Sequence, residues 1–177
     1  AARSLRSQKT NIIGLLVPDV SNPFFTSLFK GVESVMKENR YNVIVSNSDD
    51  DLDMEKEQLK IFKAHQIDGL ILSTVAEDHS FLKEYVDGYP LVFVDRKPNN
   101  YDKGDYVLVD NVIGSQNATE YLLEKGHHKI GLIIGIPGLT TSKERLEGYR
   151  MALNNYNVEL DDSLIKYGDS RVDSGYK

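Results

Sequence analysis

Short apolar runs alternate along the chain with stretches in which apolar residues recur every three or four positions. The first run, at 12–17, is apolar on both faces, which is typical of a strand buried in a parallel sheet. Asn22 and Pro23 follow it and supply a helix N-cap and a first helical residue. The same criteria predict six further strands, at 43–45, 69–72, 91–94, 106–109, 130–134 and 164–167. They predict helices at 23–39, 54–64, 81–86, 113–124 and 142–156.

Two local details follow from the same pattern. In the second predicted helix, Leu59 and Phe62 are placed inward on the apolar stripe, whereas Glu55 is placed outward together with the lysines. Gly126 follows the fourth predicted helix, at a position where a residue in the left-handed conformation commonly ends a helix. We therefore expect a charged outer face on the second helix and a glycine stop after the fourth.

The regular alternation of strands and helices predicts an α/β fold class, with mostly parallel β-sheets flanked by helices. A polar, turn-rich stretch at 99–103 interrupts the alternation. This break predicts a first α/β lobe at 11–105 and a second lobe at 106–177. The second lobe has fewer elements than the first and is expected to be incomplete. Residues 1–10 precede the first strand and form a separate arm.

Charge is distributed unevenly between this arm and the rest of the chain. The 177 residues include 21 Lys and Arg against 27 Asp and Glu, a net charge of −6 at pH 7. The first ten residues contain Arg3, Arg6 and Lys9 but no acid. An acidic body argues against a protein that coats nucleic acid over its whole surface. The basic arm is either a solvated terminus or a segment that contacts phosphates.

Several function classes lack the residues that they would require. The chain has no cysteine, which excludes disulfides, cysteine nucleophiles and thiolate metal sites. Its apolar runs reach about six residues, whereas a membrane span needs roughly 20. No apolar signal-peptide core is present, so a cytoplasmic location is expected. Neither a phosphate-binding loop nor a nucleophile elbow occurs, and His127 and His128 lack metal-ligand spacing. We therefore expect neither an enzyme nor a metal or cofactor site.

Polar and aromatic residues follow the carboxyl ends of the predicted strands, which is where open parallel sheets bind ligands. They are Asp19, Ser21, Asn22, Phe24 and Phe25, then Ser73 and Thr74, then Asp95 and Arg96, then Asp110 and Asn111, and finally 135–145. Carboxylates, hydroxyls, an arginine and an aromatic face together suit a small polar ligand. Each also has a structural explanation: Asp95 and Arg96 could form a surface ion pair, and Asp110 could cap a helix. Taken together, they favour a binding cleft.

Eight segments carry a resemblance to a known family. They are AARSLRS at 1–7, TNIIGL at 10–15, VPDVSNPFF at 17–25, DGLIL at 68–72, VDR at 94–96, VDN at 109–111, LEKGHHKIG at 123–131 and RLEGY at 145–149. Their order and spacing resemble the lactose-repressor and purine-repressor family of transcription regulators. The resemblance covers essentially the whole chain.

This resemblance implies the two-lobed fold of periplasmic binding proteins. It further implies the effector-binding and dimerisation region of a DNA-binding repressor that senses a sugar or sugar derivative. By position, the family's effector contacts fall on Phe24, Phe25, Ser73, Asp95, Asp110, Thr141 and Arg145. Leu139 stands where the purine-binding member has an arginine, so a purine effector is disfavoured.

For the basic arm, the resemblance implies a hinge helix whose leucine enters the minor groove of operator DNA. The residues concerned are Ala2, Arg3, Ser4, Leu5 and Arg6, and an apolar wedge flanked by basic residues is a physically sensible device for kinking DNA. The family's helix-turn-helix headpiece would precede the arm, and paired half-sites would require a homodimer. We expect the helices at 23–39 and 54–64 to contribute to the dimer interface.

Two alternatives remain open at this stage. A solute-binding protein for transport would share the fold, but it would be expected to carry a signal peptide or a lipoprotein cysteine. An enzyme on a doubly wound sheet would need a phosphate loop or a spaced acid–base pair. Neither set of features is found in the sequence.

Overall fold

The structure is a computed structural model that describes residues 9–75, 78–171 and 174–175. The chain divides between Leu108 and Val109 into two compact units, called here the amino-terminal and the carboxy-terminal unit. Both units are built from parallel strands and helices, which confirms the predicted α/β fold class. Among the described residues, no helix is both long and apolar enough to cross a membrane.

In the described part of the amino-terminal unit, residues 9–75 and 78–108, there are five strands and three helices. The strands are β1 (Ile12–Val17), β2 (Asn42–Asn47), β3 (Gly69–Leu72), β4 (Leu91–Val94) and β5 (Asp105–Val107). The helices are α1 (Pro23–Glu38), α2 (Leu52–Ala64) and α3 (Leu82–Val86). All strand pairs are parallel, in the order β2-β1-β3-β4-β5.

Apolar side chains on both faces of the central strands build the core of this unit. On one face, Leu16, Leu72 and Phe93 pack with side chains of α2 and α3. On the other face, Leu15 and Val17 pack with Phe25 of α1. Because helices cover both faces, continuous apolar runs such as β1 are stable only in this buried position.

Local capping explains where the first two long helices begin. The Asn22 side chain accepts a hydrogen bond from the backbone N–H of Phe24 at 3.0 Å, and Pro23 occupies the first helical position. Asp51 caps α2 in the same way, because its Oδ1 accepts from the backbone N–H groups of Asp53 and Met54 at 2.8 and 2.9 Å. Such caps satisfy backbone donors that the helix itself leaves unpaired.

The residues that the structure describes in the carboxy-terminal unit form two helices, two parallel strands and a short 3₁₀ helix. They are α4 (Asn111–Glu124), β6 (Leu132–Ile134), α5 (Thr140–Asn155), the 3₁₀ helix Asp162–Leu164 and β7 (Ile165–Tyr167). Its core consists of Leu123, Ile130, Tyr149, Ala152 and Leu153. Gly126 follows α4 with a φ of +85°, as the sequence predicts.

One predicted strand lies in a different sheet from the one expected. The run at 106–109 was predicted to open the second lobe, but β5 pairs with β4 and completes the sheet of the amino-terminal unit. Val92 lies opposite Asp105, and Val94 lies opposite Val107. The polar stretch at 99–103 is therefore a connection within one sheet. Such a stretch shows that a strand ends, but not against which neighbour the next strand pairs.

Candidate functional site

Ser73 lies directly after β3, at the carboxyl edge of the amino-terminal sheet. Its backbone N–H donates to the carbonyl of Leu16 at 2.9 Å, which holds the residue in line with the sheet. The side chain is fully buried, and its Oγ has no hydrogen-bond partner among the described residues. A buried hydroxyl without a partner costs free energy, so it is uncommon unless another molecule supplies the bond. Ser73 therefore places an unsatisfied hydroxyl beneath the surface at this edge of the sheet.

The two adjacent phenylalanines of α1 have different surroundings. Phe25 is 5% exposed and packs in the core, whereas Phe24 is 46% exposed. Their rings meet edge to face, with centroids 5.1 Å apart. Phe25 offers little surface to a ligand. Of the two rings predicted to pack on an effector, Phe24 is the one with exposed surface.

Asp95 follows β4 with an unusual backbone conformation. Its φ is +65°, a left-handed value that non-glycine residues seldom adopt. Backbone hydrogen bonds on both sides hold it there: Asp95 N–H donates to Val107 O at 3.2 Å, and Arg96 N–H donates to Val94 O at 2.6 Å. Such conformations persist where the surrounding structure enforces them, and they are concentrated at functional sites.

Arg96 ties together three of the loops that follow the strands. It forms an ion pair with Asp95, with 3.7 Å between Nε and Oδ2, but Arg96 is only 8% exposed, so this pair is buried and not the surface ion pair of the alternative interpretation. Its Nη1 donates to Asp50 Oδ1 at 2.8 Å and to the carbonyl of Thr74 at 3.3 Å. The loops after β2, β3 and β4 are thereby joined, and two of them carry Ser73 and Asp95.

Glu55 of α2 holds the loop after β3, a role that was not predicted from the sequence. It was placed on the outer face of its helix, but the structure buries it completely. Its Oε1 accepts from Thr74 Oγ1 and its Oε2 accepts from the backbone N–H of Val75, both at 2.7 Å. Burial raises the pKa of Glu55 to about 7, although these hydrogen bonds and the positive charge of Arg96 oppose the rise. The spacing of Glu55, Leu59 and Phe62 places them on one helix face, and this spacing could have predicted that Glu55 is buried.

In the carboxy-terminal unit, Asp110 and Arg145 line an open concavity of about 240 Å³. The lining residues are Val109, Asp110, Asn111, Gly114, Ser115, Leu132 and Arg145. Asp110 also caps α4, because its Oδ1 accepts from the backbone N–H of Ile113 at 3.0 Å. Thr141 is buried in the first turn of α5 and does not line this concavity.

Two further sets of sequence predictions concern DNA contacts and metal binding. The predicted DNA contacts, Ala2, Arg3, Ser4, Leu5 and Arg6, lie outside the described residues. Within 9–75, 78–171 and 174–175, no group of three or more histidine, aspartate or glutamate side chains is arranged to hold a metal ion.

Comparison with known proteins identifies the family. Residues 10–177 match the family described as periplasmic binding proteins and sugar binding domain of LacI family. The chain belongs to this family. The resemblance stated from the sequence is thereby confirmed, since the lactose repressor gives the LacI family its name.

Two curated relatives from this LacI family are regulators of transcription. A protein of Paenibacillus polymyxa assigned as the HTH-type transcriptional regulator EndR is 37% identical over 171 residues, which cover 94% of this chain and 50% of the relative. The ribose operon repressor of Halalkalibacterium halodurans is 36% identical over 179 residues, which cover 99% of this chain and 51% of the relative. The chain thus spans about half the length of the curated relatives that it matches.

Solved structures of LacI-family regulators share the fold. A protein of Burkholderia thailandensis assigned as a ribose operon repressor matches with a TM-score of 0.85 and 35% identity, covering 90% of this chain and 61% of that one. The Cra regulator of Pseudomonas putida, in complex with fructose 1-phosphate, matches with a TM-score of 0.81 and 26% identity, covering 90% and 58%. The CelR–cellobiose complex matches with a TM-score of 0.82 and 26% identity, covering 98% and 57%. These matches confirm the predicted periplasmic-binding-protein-like fold.

Proposed function

We propose that this chain is the effector-binding and dimerisation region of a LacI-family transcription repressor, and that its effector is a sugar or sugar derivative. The observation that carries the proposal is the open concavity of about 240 Å³ whose lining includes the Asp110 carboxylate and the Arg145 guanidinium. A sugar hydroxyl can donate to the carboxylate and accept from the guanidinium. The relatives named above are regulators rather than enzymes or transport proteins, which favours this function over both alternatives.

Each unit has candidate contacts of its own. The amino-terminal unit offers Ser73, Asp95 and the exposed ring of Phe24, and the carboxy-terminal unit offers Asp110 and Arg145. Phe25 packs edge to face against the Phe24 ring from the buried side, and Thr141 remains a predicted contact at the start of α5. Leu139 lies at the start of α5, is almost fully buried and makes no side-chain hydrogen bond. An apolar side chain cannot donate to a purine ring, so this position favours a sugar over a nucleobase.

Isothermal titration calorimetry with a small panel tests the effector class. The panel contains D-ribose, cellobiose and D-fructose 1-phosphate, with hypoxanthine as the purine control. Two of these sugars are bound by the related regulators CelR and Cra, and ribose is suggested by the names of the relatives. We expect at least one sugar to bind and hypoxanthine to give no heat. Binding of hypoxanthine alone would contradict the proposal.

Replacement of Arg145 by alanine is expected to weaken binding of the panel sugar by about 1.5–3 kcal/mol, which is the range for a hydrogen bond to a charged group. Calorimetry measures the loss, and thermal unfolding checks that the variant folds. Arg150→Ala is the matched control, because Arg150 is an exposed arginine on the same helix. Equal affinities for the parent and the Arg145→Ala variant would remove Arg145 from the site.

Operator DNA is the second proposed partner, reached through the hinge and a headpiece in a homodimer that acts in the cytoplasm. Substitution of Leu5 by alanine is expected to weaken operator binding by a few kcal/mol, because the wedge that kinks the minor groove is lost. Sugar affinity should be unchanged. Fluorescence anisotropy of the full-length dimer with selected operator DNA measures the effect, and Gln8→Ala in the same arm is the control. Unchanged operator affinity would refute the hinge assignment.

A further inference from the structure

Asn111 is the first residue of α4 and links that helix to α5 through its side chain. It is 6% exposed, and three hydrogen bonds surround its amide. The Nδ2 group donates to Glu144 Oε2 at 3.0 Å and to the carbonyl of Val109 at 3.1 Å. The Oδ1 atom accepts from Arg145 Nε at 3.0 Å. All three partners belong to the carboxy-terminal unit.

These partners determine which way the amide of Asn111 points. Glu144 Oε2 and the Val109 carbonyl can only accept hydrogen bonds, whereas Arg145 Nε can only donate one. A flipped amide would place an oxygen against two acceptors and an NH₂ group against a donor. The orientation with Oδ1 facing Arg145 is therefore the one in which every bond is satisfied. Two of the three bonds are charge-assisted, the one from the Arg145 guanidinium and the one to the Glu144 carboxylate, so Glu144 is the stronger of the two acceptors that hold the NH₂ group away from Arg145.

The hydrogen bond to Asn111 decides which edge of Arg145 remains available. A guanidinium group has five donors in a fixed planar arrangement, and Nε lies on only one of its edges. With Nε bonded to Asn111, the edge formed by Nη1 and Nη2 is left, and no acceptor for either atom is found among the described residues. The Arg145 backbone is held as well, because Ser115 Oγ donates to its carbonyl at 2.6 Å.

We propose that Glu144 is a positioning residue: acting through Asn111, it directs the Nη1 and Nη2 edge of Arg145 toward the effector. This inference rests on the proposed function, in which Arg145 binds the effector from the wall of its concavity. Two parallel donors match two neighbouring acceptor oxygens on one ligand. Such a pair occurs in the vicinal hydroxyls of a sugar and also in a phosphate group. D-Ribose and D-fructose 1-phosphate, both in the panel, distinguish these two sources.

The first test needs no ligand and measures the rate of hydrogen exchange at the Arg145 Nε–H. ¹⁵N NMR of the full chain detects arginine Nε–H signals, and the signal that disappears in an Arg145→Lys variant identifies Arg145. We expect slow hydrogen exchange in the parent and about tenfold faster exchange in Glu144→Ala, since one charge-assisted hydrogen bond supports the arrangement. Glu144→Gln should preserve the slow exchange, because its Oε1 still accepts from Asn111. Glu147→Ala, an exposed site on the same helix, is the control.

The second test measures affinity for the panel sugar in a double-mutant cycle. Glu144→Ala is expected to weaken binding about tenfold and Glu144→Gln by less than about threefold. Combined with Arg145→Ala, the Glu144→Ala change should cost nothing further, because it acts through Arg145.

The outcomes separate this inference from the function on which it rests. If Arg145→Ala weakens binding but Glu144→Ala changes neither affinity nor Nε–H exchange, the positioning role is wrong and the proposed site stands. If Arg145→Ala leaves affinity unchanged, the proposed site is wrong at Arg145. If no panel sugar binds, the exchange rate alone decides whether Glu144 fixes Arg145. Thermal unfolding of each variant checks that the helices remain folded.

Discussion

Replacement of Gly148 by alanine is expected to destabilise the carboxy-terminal unit by about 3 kcal/mol, at the upper end of the usual cost of overpacking. Gly148 lies in α5 where that helix crosses α4 with no room for a side chain. A Cβ atom at 148 would overlap the carbonyl oxygen of Val112 and lie 2.9 Å from the backbone nitrogen of Gln116. Because these are backbone atoms of a helix, they can yield only if the two helices separate.

Separation of the helices would also disturb the proposed site. Ser115 and Arg145 are joined across the same helix pair, and Ser115 Cβ would lie 3.0 Å from the added carbon. We therefore expect Gly148→Ala to lose sugar affinity as well as stability. An Arg145→Ala variant should lose affinity alone, which distinguishes a packing defect from a lost contact.

A second glycine of the same unit provides the control for stability. Gly114 lies in α4, and an added Cβ would meet nothing within 4 Å. Alanine there should raise the free energy of unfolding by up to about 1 kcal/mol, because it restricts the unfolded chain and favours the helix. Urea denaturation followed by circular dichroism measures both variants. If Gly148→Ala were as stable as the parent, the helices could not approach as closely as described.

Features that depend on neighbouring residues in the sequence could be predicted well. The start of α1 follows from Asn22 and Pro23, whose capping chemistry acts within a single turn. The buried strand β1 follows from six consecutive apolar residues before Pro18. The partner of β5 could not be predicted in this way, because strand pairing is decided by a segment more than ten residues away.

The candidate site shows the same division between local and distant causes. The rule that ligands bind at the carboxyl ends of parallel strands selects Ser73, Asp95 and Asp110 from the sequence alone. It does not show that Asn111 is oriented by Glu144, because that contact arises only when α4 packs against α5. The burial of Glu55 has a similar origin, since the loop that covers it follows another strand.

The pH dependence of stability should reveal the buried carboxyl of Glu55. We expect the free energy of unfolding of Glu55→Gln, relative to the parent, to increase by about 2 kcal/mol between pH 5 and pH 8. In the folded chain, burial raises the pKa of Glu55 to about 7, whereas the ordinary value is 4.5. At a pH below 4.5 both the folded and the unfolded chain hold the proton, and no penalty arises.

As the pH rises from 4.5 to 7, the unfolded chain releases this proton more readily than the folded chain, so the folded state loses stability. Above pH 7 the penalty is complete and amounts to about 3 kcal/mol. A glutamine has no proton to lose and does not share this penalty. Arg96 and Lys56 face the carboxyl and favour its charged form, but burial outweighs both.

The comparison must rest on the slope with pH, because glutamine also changes the hydrogen bonds. Its Oε1 can accept from the backbone N–H of Val75 while its NH₂ group donates to Thr74 Oγ1, but the Thr74 hydroxyl proton then loses its acceptor. That mismatch destabilises the variant equally at every pH. Urea denaturation at pH 5, 6, 7 and 8 separates the two effects, with Glu57→Gln as the exposed control on the same helix. Parallel profiles for the parent and Glu55→Gln would mean that Glu55 is ionised throughout this range, and that Arg96 rather than burial sets its charge beneath the loop that carries Ser73.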